Sequence, residues 1–472
     1  MLKNKTQVIL TLMIGTSMAA IDSSIVNVSL PVIQRQFQVE VDEVSLVITA
    51  YMITFLLFIP LTNWLKNRIG YYHLYMGSII VFTIGSLLCS LSTNLDLLVL
   101  SRIIQAIGGG ALAPTSLAIL SESFPKNERG SAIGWWGIGN VMGPALGPTL
   151  GGVLTEYLGW QSIFYVNIPV GIIAILMNIR YLSYLKQRPR SNPRFDFRGY
   201  FLFVAFVVLL QFTLTNTGSR HGFASWQFIT GILLTFFCGW LFIRSSRRPD
   251  PLLDLSVFFN AGFNRAFIIV AIRSLALFGG MFFLPFLLQG YLGYTELQSA
   301  LLLLPNALIM LVTRPIAGKL ADNGMIRNIS ILGICLLSAS FVLFAFIDTG
   351  TAILFIISAM IVRGLGISFL ISPVSTAMLN AVSQAQTSTA TSLNSLIIQL
   401  GGSVGIAISS SMHSYIYDHY IDKAYSVLLS EHYALQDGFL FTAVLILATL
   451  IPAARLPQRV ARSLPANKEA MG

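Results

Sequence analysis

Residues 134–152 read GWWGIGNVMGPALGPTLGG, with glycine at every fourth place: Gly139, Gly143, Gly147 and Gly151. On a helix this spacing lines the glycines into one ridge without side chains. Such a ridge lets a second backbone approach closely, as helices do when they associate in lipid. Pro144 and Pro148 lie in the same span. Each lacks the N–H that the carbonyl four residues earlier would take. The helix is therefore expected to bend there or to slide against its neighbour. On spacing alone two readings stand: a tightly packed, kinked membrane helix, or a hinge or seal in a transporter.

The rest of the chain bears on that choice. It has 472 residues, 55% hydrophobic and only 10% charged. A soluble protein carries about 25% charged residues, so the composition is that of a polytopic membrane protein. The net charge of +10 is compatible with a nucleic-acid partner, but its distribution argues against one: the positives lie in short loops between apolar spans. Cys89, Cys238 and Cys335 all fall within apolar runs and read as small fillers rather than a disulfide framework. Lys3 and Lys5 precede an apolar run too long for a signal peptide and without a cleavage site, so it is expected to be a retained first helix.

Candidate spans cover residues 8–30, 44–65, 74–91, 97–120, 132–154 and 163–185, then 200–217 and 226–243. Six more cover 266–288, 299–320, 329–346, 352–373, 393–412 and 438–454. Most approach the ~20 residues needed to cross the hydrocarbon core. With the N-terminus in the cytoplasm, the inner loops hold Lys66, Arg68, Lys126, Arg129, Lys186, Arg188, Arg190, Arg194, Arg198, Arg244, Arg247, Arg248, Lys319 and Arg327. The tail adds Arg455, Arg459, Arg462 and Lys468, whereas the outer loops hold Arg35, Arg220 and Lys423. This bias places both termini in the cytoplasm of a multi-pass cell-membrane protein.

The two ends of the chain echo each other. NWLKNRIG (63–70) follows the second span and GKLADNG (318–324) follows the tenth, both as short polar turns. Such repeats are common in secondary transporters. The expected organisation is an N-terminal six-helix bundle (1–185), a basic cytoplasmic linker (186–199), an extra helix pair (200–245), a C-terminal six-helix bundle (246–456) and a cytoplasmic tail (457–472).

Asp22 is the leading candidate for chemistry, because it lies well inside the first span. A carboxylate at that depth costs about 2.5–3.5 kcal/mol on insertion scales, so it must face protein or a wet cavity, where it can load and release a proton. The structural alternative is an Asp bonded to Ser23, Ser24 or a neighbouring helix. Asn27 is one turn further on. Glu122 reads as an interfacial partner of Lys126 or Arg129, and Asp196 and Asp254 fall in loops.

Arg102 sits early in the fourth span, with Gln105 one turn on and Gly108, Gly109 and Gly110 beyond. It either pairs with Asp22 or snorkels to the surface. Arg273 and Arg363 are the other deep positives. Each either attracts an anionic group on a substrate or anchors packing; Arg314, near a helix end, reads as structural. Tyr51, Phe55, Trp135, Trp136 and Asn140 are further candidates for a substrate cavity. An outer loop at 413–437 carries His413, His419 and His432, without the tight spacing of a metal site; a folded cap or short hairpin is expected. No Walker loop, GxSxG elbow or HExxH is present, so neither an enzyme nor an ATP-driven pump is expected, and an ion or substrate gradient must supply the energy.

At these residues the chain resembles the major facilitator superfamily, and within it the drug/proton antiporter branch with fourteen spans. IDSSIVNVSLP (21–31) resembles that branch's first-helix signature LDxTIVNVALP, with Asp22, Asn27 and Pro31 in place. RIIQAIGGG (102–110) resembles RxxQGxGG, with Ala106 where Gly is usual. GNVMGPALGPTLGG (139–152) is similar to the antiporter motif GxxxGPxxGG, here Gly139, Gly143, Pro144, Gly147, Pro148, Gly151 and Gly152. WQSIFYVNIP (160–169) resembles WRWIFxINxP. The inner loop departs from the family pattern GxLADRxGRR: Asn63 replaces the Gly, Asn67 the Asp and Tyr71–Tyr72 the twin Arg, while Arg68 and Gly70 remain. In the other half Gly318 and Asp322 keep their places.

The resemblance implies an all-α major-facilitator fold with two six-helix bundles and an extra central pair. It implies a monomeric multidrug efflux protein that exchanges protons for amphiphilic small molecules across the lipid bilayer, with no cofactor and no metal. Asp22 and Arg102 would couple protons, and Gly143–Pro144 would seal leak from exchange. Lacking the Asp, the Asn67 turn would latch the inner gate more weakly, and Asp322 would carry more of the latch. Two alternatives stand beside this reading: a carrier of one metabolite or lipid, for which Arg273 and Arg363 suit an anionic cargo, and a membrane sensor that transports nothing.

Overall fold

The computed structural model describes residues 5–186, 194–215, 226–248 and 251–457. Arg188, Arg190, Arg220, Arg459, Arg462, Lys468, residues 187–193 of the linker and the tail beyond 457 lie outside the described residues. So do the side chains of Asn27, Pro31, Pro144 and Pro148.

All regular secondary structure among the described residues is helical. In order run α1 (Lys5–Phe37), α2 (Val41–Phe58), α3 (Leu61–Ser90), α4 (Leu95–Ser123), α5 (Arg129–Leu158), α6 (Ser162–Tyr165) and α7 (Asn167–Tyr181). Then come α8 (Phe197–Thr215) and α9 (Trp226–Ser245). The remainder is α10 (Ala261–Pro285), α11 (Glu296–Leu320), α12 (Ile326–Ala345), α13 (Ile353–Asn380), α14 (Thr387–Asp422), α15 (Val427–Leu447) and α16 (Leu450–Ala453). Eleven described helical stretches are long and apolar enough to cross a membrane.

Local chemistry sets several starts. The Asn94 side chain accepts from Leu97 N at 2.8 Å to begin α4. Thr295 and Gln298 form a reciprocal capping box at the head of α11. Two glycines break long helical runs. Gly70 (φ 76°, ψ 162°) interrupts α3, and Gly324 (φ 85°) separates α11 from α12. A Cβ on Gly70 would meet nothing within 4 Å, so backbone angle alone demands glycine there.

Helix pairing repeats along the chain. α1 packs on α5, and α2 and α3 on α4; likewise α10 packs on α14, and α11 and α12 on α13. α5 meets α11, and α14 meets α4, where the two sets join. α8 and α9 pack on each other, and α8 touches α2 and α14, with Gln211 Nε2 donating to Ser403 Oγ at 2.9 Å. Along α9, Leu233, Phe236, Phe237 and Trp240 are exposed. An apolar surface of that extent belongs in lipid.

One expectation changes. The stretch 413–437 is not a loop: α14 continues to Asp422, α15 starts at Val427, and only a short turn joins them. These helices run on after the apolar period ends, so hydropathy mistakes their polar ends for a loop. His413 Nε2 meets Glu431 Oε1 at 3.1 Å, and Tyr420 stacks on Tyr433 at 4.7 Å. No cluster of metal-ligating side chains occurs among the described residues.

Candidate functional site

Asp22 is fully buried on α1 and its carboxylate accepts three side-chain hydrogen bonds. Arg102 Nη1 donates to Oδ2 at 2.6 Å, Gln105 Nε2 to Oδ1 at 2.8 Å and Asn167 Nδ2 to Oδ1 at 3.1 Å. The cluster extends through Gln105, whose Oε1 accepts from Arg102 Nη1 at 2.5 Å and whose Nε2 donates to Ser86 Oγ at 2.6 Å. Arg102 Nε donates to Val47 O at 3.3 Å, and the guanidinium lies 3.9 Å from the Tyr51 ring centroid. Elements α1, α2, α3, α4 and α7 thus converge on one charge pair. Ile25, Val26, Val47, Trp160 and Phe164 form an apolar cluster beside it. In so dry a setting a charge pair stands only when its remaining hydrogen-bonding capacity is met.

The glycine ridge of α5 lies directly against α1. A Cβ on Gly143 would overlap Ala20 O, one on Gly147 would overlap Ser24 Oγ, and one on Gly151 would stand 2.8 Å from Ile25 O. Ser24 Oγ donates to Gly143 O at 2.7 Å. The α1 residues in contact, Ala20, Ser24 and Ile25, bracket Asp22. α5 runs unbroken from Arg129 to Leu158 through Pro144 and Pro148. Gly152, by contrast, has nothing near its absent Cβ.

Another face of α5 meets α11. A Cβ on Gly130 would overlap Gly318 O, and one on Gly134 would stand 2.6 Å from Arg314 O. Arg314 Nη1 donates to Gly137 O. One turn beyond, the Asp322 carboxylate caps the start of α5, accepting from Gly130 N at 2.7 Å and Ser131 N at 2.8 Å. A carboxylate at a helix N-terminus satisfies open N–H groups and the helix dipole together. Arg129 Nη1 donates to Asn380 Oδ1 at 3.0 Å, and the Thr62 and Ser392 hydroxyls meet at 2.8 Å. All these bonds lie at the end of the molecule where Lys5 pairs with Glu128, here called the basic end. That end is sealed. Asn67 lines a small cavity of about 190 Å³ there, beside Ala385 and Thr389 at the start of α14 and with Asn63, Arg194 and Asp254 around it.

Toward the opposite end, a cavity of about 560 Å³ lies between the two helix sets. Asn140 and Val141 of α5 line one side, and residues of α10, α11 and α13 the other, including Asn306, Arg314 and Arg363. It extends from Arg314, above the seal, to Gln289 and Ser299 near the far helix ends.

The Major Facilitator Superfamily profile matches residues 12–406, most of the chain. The chain belongs to the Major Facilitator Superfamily. It is 31% identical to the riboflavin transporter RibZ of Clostridioides difficile over 410 residues, 87% of this chain and 88% of that protein. It is 30% identical to the multidrug resistance protein B homolog of Mycobacterium tuberculosis (strain H37Rv), over 95% of this chain and 89% of that protein. Among solved structures, the human organic anion transporter MFSD10 superposes with a TM-score of 0.70 at 15% identity, over 95% of this chain and 99% of that one, a likeness of fold.

Within this transporter fold the sequence candidates divide. Asn140 and Arg363 line the cavity. Gln105 and Tyr51 belong instead to the Asp22 cluster. Trp136 packs on α1, its Nε1 donating to Thr16 Oγ1 at 2.9 Å, while Trp135 is exposed and Phe55 is half-buried, its carbonyl against Gly110. Arg273 is buried in α10. Sequence reasoning missed Asn167 as a partner of Asp22 and Arg314 as a cavity residue. Asn167 sits in the quoted stretch WQSIFYVNIP, which is the signal that points to it; Arg314 carries none beyond its charge.

Proposed function

We propose that this transporter is a proton-coupled antiporter that exports amphiphilic small molecules across the cell membrane by alternating access. The observation that carries the reading is the buried Asp22–Arg102 pair, held on α1 against the glycines of α5. Protonation of Asp22 removes one charge of the pair and frees α1 to shift. α5 conveys that shift, because one of its faces reads α1 and another closes on α11. The halves 1–185 and 246–456 rock about a midplane site, as in other secondary transporters. The charge of Asp22 biases which end is open. The basic end is cytoplasmic, so this conformation faces outward. The proton gradient is the energy source, the monomer is the working unit, and no cofactor takes part.

Fourteen crossings suit this fold. α2 and α5 are further long helices, and Gly324 divides one 49-residue stretch, Leu297–Ala345, into two. Relatives that bear multidrug names at about 30% identity favour broad cargo. The similarity to RibZ favours a second reading, a carrier of one metabolite.

Inverted vesicles with an imposed proton gradient test the proposal. Across a panel of cationic, neutral and anionic amphiphiles, proton release is expected from the wild type with at least one class and is lost in Asp22→Asn. Release that persists in the variant would leave Asp22 structural. Activity confined to one compound would select the single-metabolite reading.

A further inference from the structure

The two helix sets treat their deep arginines differently. Arg102 meets the Asp22 carboxylate, the Gln105 amide, the Val47 carbonyl and the Tyr51 ring. Arg273, Arg314 and Arg363 are 2%, 5% and 6% exposed, and among the described residues none of them meets a carboxylate. Buried without any hydrogen-bond partner are Nε of Arg314, Nε of Arg363, and Nε and Nη1 of Arg273. Arg314 and Arg363 line the same cavity, whereas Arg273 is buried in α10 and is not among the residues lining it. A guanidinium keeps its charge under all physiological conditions, and an uncompensated buried charge is strongly unfavourable. Two such groups on one cavity require a negative partner that the described residues do not supply.

The rest of the cavity states what that partner carries. Leu277, Phe278, Met281, Leu303, Met310 and Ile367 make its wall largely apolar. Asn140 and Asn306 add amides, and Asn306 Oδ1 is itself buried and unpartnered. A volume of about 560 Å³ suits a drug-sized molecule. We propose that the cargo is an amphiphilic organic acid, its carboxylate, sulfonate or phosphate held by Arg363 and Arg314 and its apolar body against the α10–α11 wall. This deepens the antiporter reading and rests on it for the direction of movement. Guanidinium forks match such anions bidentately. The same two charges disfavour cationic amphiphiles. Arg314 also holds Gly137 O across the seal, so an acid that draws its guanidinium away loosens the contact between α5 and α11.

The test uses the full chain in phosphatidylcholine nanodiscs and three radiolabelled probes with one aromatic body: 1-naphthaleneacetate, 1-naphthalenemethanol and 1-naphthalenemethylamine. The acid is expected to bind at least tenfold more tightly than the alcohol, and the amine not at all. Arg363→Gln and Arg314→Gln should each weaken the acid tenfold or more and leave the alcohol within twofold, while Arg363→Lys recovers part of the loss. Equal binding of acid and alcohol in the wild type overturns the proposal, as does an equal loss of both in the variants or a preference for the amine. The acid head could also belong to a lipid, and discs containing phosphatidylglycerol separate the two sources. Displacement of naphthaleneacetate there assigns the site to an anionic lipid; unchanged binding assigns it to a free acid. Proton release in proteoliposomes is read separately. Release driven by the amine or the alcohol keeps antiport and removes the acid site. Acid binding without release keeps the site and removes antiport.

Discussion

Gly130 donates its backbone N–H to the carboxylate of Asp322 at 2.7 Å, across 192 residues of sequence and from one helix set to the other. The bond lies at the first turn of α5, next to the point where Gly130 and Gly318 bring the α5 and α11 backbones together. One carboxylate thus caps a helix and closes the basic end.

Asp322→Asn keeps the shape of this contact and removes its charge. Charge-assisted hydrogen bonds are worth about 1.5–3 kcal/mol, and a helix-dipole interaction about 0.3–1 kcal/mol. The substitution should shift the conformational balance toward opening at the basic end by about tenfold. Alkylation of a cysteine placed at Ser131 checks this: the rate should rise in the variant. An unchanged rate would mean that the Arg314–Gly137 and Arg129–Asn380 bonds hold the seal unaided.

Asn67 holds the corresponding place in the other half, but the structure puts it in α3, three residues before the break at Gly70, and not in a turn. It carries no charge, and it shares a small cavity with Ala385 and Thr389 at the start of α14. Asn67→Asp should strengthen closure of the basic end and slow alkylation of a cysteine at Thr389. Asp254 lines the same cavity, so repulsion opposes part of the gain, and the effect should be smaller than the loss in Asp322→Asn. A faster reaction would show that repulsion prevails.

Arg102→Ala leaves the Asp22 carboxylate buried with only two amide donors. Removing one member of a buried ion pair costs about 3–5 kcal/mol. The thermal midpoint of the purified protein should fall clearly. The double variant Asp22→Asn, Arg102→Gln should recover much of it, because no lone charge remains. A double variant no more stable than Arg102→Ala would mean that the pair is held by its hydrogen-bonding geometry more than by charge balance.

Much of this arrangement is legible from residue type and depth alone. Asp22 and Arg102 stand out because charges in apolar spans must be explained, and the α5 ridge stands out because its period matches the helix. Pairing is less legible. Arg102 and Asp22 are 80 residues apart, and sequence leaves Arg102 between partner and snorkel; the fold joins them at 2.6 Å. Arg314 misleads because nearness to a helix end suggests an interfacial residue, whereas α11 there abuts α5 and Arg314 lines the cavity between the two helix sets. Trp135 and Trp136 are adjacent and chemically alike, and only helix rotation decides that one is exposed and the other bonds Thr16. The turn at Gly70 is visible as a glycine, but its φ is not.

The ridge itself allows a graded test. A methyl group on Gly143 would strike the Ala20 carbonyl, which is backbone and cannot turn aside. On Gly147 it would strike the Ser24 hydroxyl, which can rotate away at the loss of its own bond to Gly143 O. On Gly152 it would meet nothing within 4 Å. Overpacking a close contact costs about 1–3 kcal/mol. Thermal midpoints should therefore fall most for Gly143→Ala, less for Gly147→Ala, and stay at the wild-type value for Gly152→Ala. If α1 and α5 slide during the cycle, exchange should fall in the same order, and a shift of α1 by less than a full turn would be enough to bring Ala20 against a different residue of α5. Equal losses at all three positions would mean that the glycines serve helix flexibility rather than close approach.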